Sequence, residues 1–96
     1  MSPPFMVLTA PRFESLARNL SKRHPDFSGA LSEAISILAT DPLNVNREHQ
    51  IRKLVGVLRG DGQYRLRLRR WRFRYDLYGR EVLLTYCGLR RESTYS

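Results

Sequence analysis

One cysteine in 96 residues, Cys87, leaves no partner for an internal disulfide and no second thiolate for a cysteine-rich zinc site, a usage that suits a reducing cytosol. Two histidines, His24 and His49, are too few to build a metal centre. No stretch approaches the roughly 20 apolar residues that span a bilayer. The start MSPPFMVLTAPRF has neither a basic leading region nor a long apolar one. The expectation is a soluble, cytoplasmic protein with no cofactor, no metal and no membrane contact. Repeats, low-complexity tracts and linkers are also missing, so the chain is expected to form a single domain over residues 1–96 with one modest core.

Acidic side chains are scarce as well, 9 against 17 basic ones, for a net charge of +8. The excess is not spread evenly. Residues 1–50 hold five basic and five acidic side chains, and residues 51–96 hold twelve and four. A polyanionic partner engaging the second half is what this distribution favours.

Phe5 to Thr9, FMVLT, reads as a short strand. Phe13, Leu16, Ala17 and Leu20 recur at helical spacing behind Pro11, which suits a first turn, and Pro25 stops the helix. A second helix follows, with Ser28 as cap, an apolar stripe of Leu31, Ala34, Ile35 and Leu38, and Asp41-Pro42 as its end. Residues 43–50, LNVNREHQ, read as a polar connection, in which Glu48 and His49 form either an acid–base pair or part of a plain loop.

From Tyr64 the period becomes two. Tyr64, Leu66 and Leu68 alternate with Arg65 and Arg67, and Trp71, Phe73, Tyr75 and Leu77 alternate with Arg72, Arg74 and Asp76. A two-residue turn at Arg69-Arg70 sets Leu68 opposite Trp71, and so Arg67 opposite Arg72 and Arg65 opposite Arg74. One face is then apolar and the other carries four arginines, where directly opposed like charges destabilise. A turn at Gly79-Arg80 adds a strand with Val82, Leu84 and Tyr86 on the apolar face and Leu83, Thr85 and Cys87 on the arginine face. Two amphipathic helices and a one-faced sheet bury each other in two layers. The expected class is α+β, two N-terminal helices on one face of a mainly antiparallel four-stranded sheet, in the order β-α-α-β-β-β.

The run QYRLRLRRWRFRYDL, then EVLLTYCGLRREST and a final Tyr95, resembles the RelE/ParE superfamily of bacterial toxin–antitoxin toxins. The resemblance covers nearly the whole chain, including the Leu54-Val55-Gly56 approach to the sheet, the Trp71-Arg72 pair and the Gly88-x-Arg90 end of the last strand. RelE-type members cut mRNA in the ribosomal A site, whereas ParE-type members inhibit DNA gyrase. The alternating arginines and the Arg90/Tyr95 end favour the first. A non-catalytic basic RNA-binding module is a third reading.

On the RelE-type reading the resemblance implies a metal-independent endoribonuclease whose partners are mRNA, the ribosome and a cognate antitoxin that holds it in an inactive hetero-oligomer. The basic pair of the first hairpin strand falls on Arg65 and Arg67, the transition-state arginine on Arg72, the arginine after the last strand's glycine on Arg90, and the terminal aromatic on Tyr95. Arg69, Arg70, Arg74 and Arg91 extend the positive surface toward RNA. Guanidinium forks bind phosphate oxygens through paired hydrogen bonds, so Arg72 suits the charge on a phosphorane and Arg90 the leaving oxygen. A guanidinium is always protonated, so Arg65 and Arg67 stabilise charge rather than take a proton. Tyr95 can stack on a base or act as one. Beside these roles stands the plain reading of each residue: alternating arginines also decorate ordinary solvated sheet faces, and Trp71, Phe73 and Tyr75 belong to the core.

Overall fold

The computed structural model describes residues 3–90. They form β1 (Met6–Thr9), α1 (Pro11–Arg23), α2 (Phe27–Thr40), β2 (Gln50–Lys53), β3 (Tyr64–Leu68), β4 (Trp71–Tyr78) and β5 (Glu81–Leu89). The strands make one sheet in the order β1-β5-β4-β3-β2, with β1 parallel to β5 and every other pair antiparallel. The α+β class is as expected, as is the β-α-α start followed by the remaining strands; the sheet has five strands instead of four. The additional strand, β2, escapes sequence reading because it offers one inward apolar residue, Ile51, which pairs with Leu66, while Gln50, Arg52 and Lys53 are exposed along the sheet's edge.

Pro11 opens α1, where its missing N–H costs nothing, and the acidic Glu14 sits in the first turn, accepting a hydrogen bond from the Thr9 hydroxyl at 2.6 Å. Phe13, Ala17 and Leu20 are its buried residues. Helix α2 begins two residues earlier than expected. Asp26, not Ser28, is its cap residue, and its buried stripe is Phe27, Ala30, Ala34 and Leu38, leaving Ile35 36% exposed. The reason is Phe27, whose ring packs edge-on against Trp71 with centroids 4.9 Å apart and so pins the first turn to the core. Trp71, Phe73 and Tyr75 are fully buried between sheet and helices. Truncating any of them to alanine should cost about 3–5 kcal/mol. The Tyr75 hydroxyl donates to the Pro42 carbonyl at 2.7 Å, and burial pushes the phenol pKa up.

Both hairpin loops are two residues long, Arg69-Arg70 and Gly79-Arg80, and each places its first residue at positive φ, 56° and 59°. Glycine accepts that conformation freely; Arg69 holds it at a cost of about 1–2 kcal/mol. In β5 the alternation breaks. Tyr75 faces Leu84 and Arg74 faces Tyr86, so Thr85 is an extra residue, a bulge. Everything beyond it changes face: Tyr86 joins the arginine side, and Cys87 enters the core at 1% exposure. The thiol, expected beside Arg72, is instead surrounded by apolar groups, and burial raises its pKa to about 12. No helix among the described residues is long and apolar enough to cross a membrane.

Candidate nucleic-acid interface

The β3–β4 pairing sets Arg67 opposite Arg72 and Arg65 opposite Arg74, the register expected from the alternation. Neighbouring strands lengthen both rows. Arg52 on β2 stands opposite Arg65 and Tyr86 on β5 opposite Arg74; in the second row Gln50 stands opposite Arg67 and Gly88 opposite Arg72. Gly88, itself buried, brings no side chain to this row. Arg65, Arg67 and Arg72 are half-buried, and the Nε–H of each is shielded without a hydrogen-bond partner among the described residues. Leaving a buried donor unpaired costs about 1–3 kcal/mol, more where it is charged. Desolvation lowers the Arg65 pKa, and the charges of Arg67, Arg72, Arg52 and Arg74 lower it further. Among the described residues no carboxylate pairs with Arg65, Arg67 or Arg72.

The arginines are not equivalent. Arg72 reaches along the face and donates through Nη2 to the Arg90 carbonyl at 2.9 Å. Arg90, just past β5, closes the sheet's end: its N–H donates to the Arg70 carbonyl at 2.8 Å and its guanidinium to the Arg69 carbonyl at 3.1 Å. Arg74 is spent on the loop that crosses the face, donating to the carbonyls of Asp61 and Gly62 at 2.9 to 3.1 Å. The buried Asp76 carboxylate completes that anchor by accepting from the Gly62 and Gln63 N–H groups at 3.0 and 2.9 Å. Gly62 is required there: its φ is +81°, and a Cβ would meet the Thr85 hydroxyl at 2.8 Å.

Arg69 and Arg70 point the other way, toward helix α2. Arg69 pairs with Glu33 at 2.9 Å, and Arg70 grips Asp26 through two bonds of 2.7 and 3.1 Å. Asp26 also accepts from the Trp71 indole N–H at 2.9 Å. The bonds from Arg70 and then Trp71 hold the Asp26 carboxyl down to about 2. These arginines tie the hairpin to the helix layer, and their charge is largely matched. Arg91 and Tyr95 lie outside the described residues.

His49 has a more defined setting than a plain polar loop. Asn44 holds its backbone from both sides, the Asn44 amide donating to the His49 carbonyl at 2.7 Å and the Asn44 oxygen accepting from the His49 N–H at 3.1 Å. Asn44 itself sits at φ 56°. His49 borders a cleft of 320 Å³ between the sheet edge and α2, lined also by Glu33, Ile37, Leu66 and Leu68 and so on the helix side of the sheet.

No protein-family model matches the sequence, and neither does any curated protein. Solved structures do match. The chain superposes on the toxin of the E. coli DinJ-YafQ toxin–antitoxin complex with a TM-score of 0.72 and 15% identity, covering 97% of this chain and 99% of that one. A separate crystal structure of YafQ from E. coli strain BL21(DE3) gives a TM-score of 0.69, also at 15% identity, over 94% of this chain and 98% of that one. The likeness is one of fold, over nearly the whole of both chains, and it bears out the expected α+β architecture.

Proposed function

We propose that this chain, with its YafQ-like fold, is the toxin of a toxin–antitoxin pair: an endoribonuclease that cuts mRNA, with the ribosome as the setting, and is neutralised in a hetero-oligomer with a cognate antitoxin. The observation that carries the reading is the cluster of Arg65, Arg67 and Arg72 on one sheet face, shielded and, among the described residues, paired with no carboxylate. The matched toxin was solved in complex with an antitoxin, which supports the same kind of partner here.

In such a cleavage the 2′-oxygen attacks the adjacent phosphorus, the P–O5′ bond breaks, and the products are a 2′,3′-cyclic phosphate and a free 5′-hydroxyl. Negative charge grows on the non-bridging oxygens as the phosphorane forms. Arg72 would bind it, since the residue opposite on β5 is Gly88, which brings no side chain to that position. Arg65 and Arg67 hold the flanking phosphates, and Arg90 lies at the end of the face where the leaving oxygen needs a proton or a positive charge. The 2′-hydroxyl proton must go to some group other than a guanidinium. Tyr95, outside the described residues, is the side chain to test for that role.

The test is to add the purified protein to a translation extract, map mRNA ends, and run a gyrase supercoiling assay in parallel. New 5′-hydroxyl ends in translated mRNA, lost in Arg72→Ala, are expected. Intact mRNA with blocked supercoiling would reassign the chain to gyrase inhibition.

A further inference from the structure

A second, larger cleft opens on the arginine side of the sheet. It has a volume of 630 Å³ and lies between the loop after β2 and the start of α1, walled by Arg12, Leu58, Asp61, Arg74, Thr85 and Tyr86. Building on the RNA reading above, we propose that this cleft is a nucleobase subsite, in which one base of the bound single strand stacks on Tyr86 beneath Arg12.

Tyr86 is an aromatic ring on the polar face, and it is there because the Thr85 bulge turns it away from the core. Bulges of this kind commonly re-aim a side chain beside a functional site. The Arg12 guanidinium lies 5.6 Å from the centre of the Tyr86 ring and forms neither of the two salt bridges among the described residues. Arg12 is exposed, so admitting a base between ring and guanidinium requires only that this side chain lift. Aromatic and guanidinium planes are the two surfaces on which proteins stack unpaired bases. The cleft lies within the size range of small-molecule sites, about 300–1,000 Å³. Asp61 at its rim repels phosphate but accepts hydrogen bonds from the amino and imino groups of a base, which makes a ring the fitting occupant.

The position suits the same strand of RNA. Tyr86 is opposite Arg74, and Gly88, two residues along β5, is opposite Arg72. Two residues of strand span about 7 Å and adjacent strands lie about 4.8 Å apart. A base on Tyr86 therefore belongs to a nucleotide next to the phosphate that Arg72 receives.

The experiment measures binding of two fluorescent RNA oligonucleotides by anisotropy, one intact and one with a single abasic position stepped along it, both 2′-O-methylated to prevent cleavage. The wild type should lose about fivefold to a hundredfold in affinity at one abasic position, the scale of one base–aromatic stack. Tyr86→Leu and Arg12→Ala should weaken the intact oligonucleotide and abolish that difference, whereas Tyr86→Phe, which keeps the ring, should preserve it. If the wild type binds RNA with the same affinity whichever base is removed, the subsite is refuted and the RNA reading stands. If the wild type binds neither oligonucleotide yet still cuts mRNA in the translation extract, the subsite alone is refuted; if it does neither, both fall. A cleft built for a protein side chain would leave Tyr86→Leu indistinguishable from wild type on RNA, which also overturns the inference.

Discussion

Arg72 and Arg90 are joined through the main chain: the Arg72 guanidinium donates to the Arg90 carbonyl at 2.9 Å, and Arg90 in turn fastens its own guanidinium to the Arg69 carbonyl at 3.1 Å. The two residues assigned to charge stabilisation thus hold each other in place. Arg72→Ala and Arg90→Ala should each slow cleavage by about a hundredfold or more, the usual loss for one transition-state donor. Because removing Arg72 also frees the Arg90 segment, the double variant should lose less than the product of the two single losses. Single-turnover cleavage rates check this; wild-type rates in either single variant would remove that residue from the site.

The Asp26 carboxylate joins the hairpin to α2 by accepting from Arg70 and Trp71. Its pKa is depressed from 3.8 to about 2, so the ion pair's contribution is fully present above 3.8 and is lost as the pH falls through 2. Asp26→Asn should lower the thermal unfolding midpoint at neutral pH. The gap between variant and wild type should close as acid is added across that window. A gap that persists unchanged at the acid end would mean that the charge of Asp26 does not stabilise the fold.

The arginine face is legible in sequence because the alternation over Tyr64–Leu68 and Trp71–Tyr78 has only one register that buries Leu66, Trp71, Phe73 and Tyr75 together. The rest depends on contacts that no local pattern carries. Strand β2 has a single core residue, Ile51, too little to show a period. The bulge at Thr85 leaves no local mark, yet it exchanges the faces of Tyr86 and Cys87. Arg69 and Arg70 look like an extension of the positive surface, but the hairpin end lies against α2, where Glu33 and Asp26, some 36 and 44 residues distant in sequence, take up their charge. His49 becomes notable only when Asn44 is seen to fix its backbone.

Cys87 should be inert in the native protein. Burial lifts its pKa from 9.0 to about 12, so the folded state keeps the proton that an unfolded chain releases, and this contribution to stability declines as pH rises from 9.0 toward 12. A thiol reagent at mildly alkaline pH should react at the rate of unfolding and speed up on adding denaturant. Rapid modification of the native state would place the thiol back on the arginine face.

Arg65 should show the conflict between folding and binding most clearly. Its shielded Nε–H is unpaired and its charge faces Arg67, Arg72, Arg52 and Arg74. Arg65→Met keeps an unbranched stem to cover the sheet while removing the charge. The variant should be more stable than wild type by on the order of 1 kcal/mol, through relief of like-charge pairs, and so unfold at a higher temperature. The gain should be greatest at low ionic strength, where repulsion is least screened. RNA binding should move oppositely. Affinity should drop, and the slope of log affinity against log salt should become shallower by about one, because one fewer phosphate contact releases a counterion. A lower melting temperature with an unchanged salt slope would show that Arg65 supports the fold and does not touch the nucleic acid.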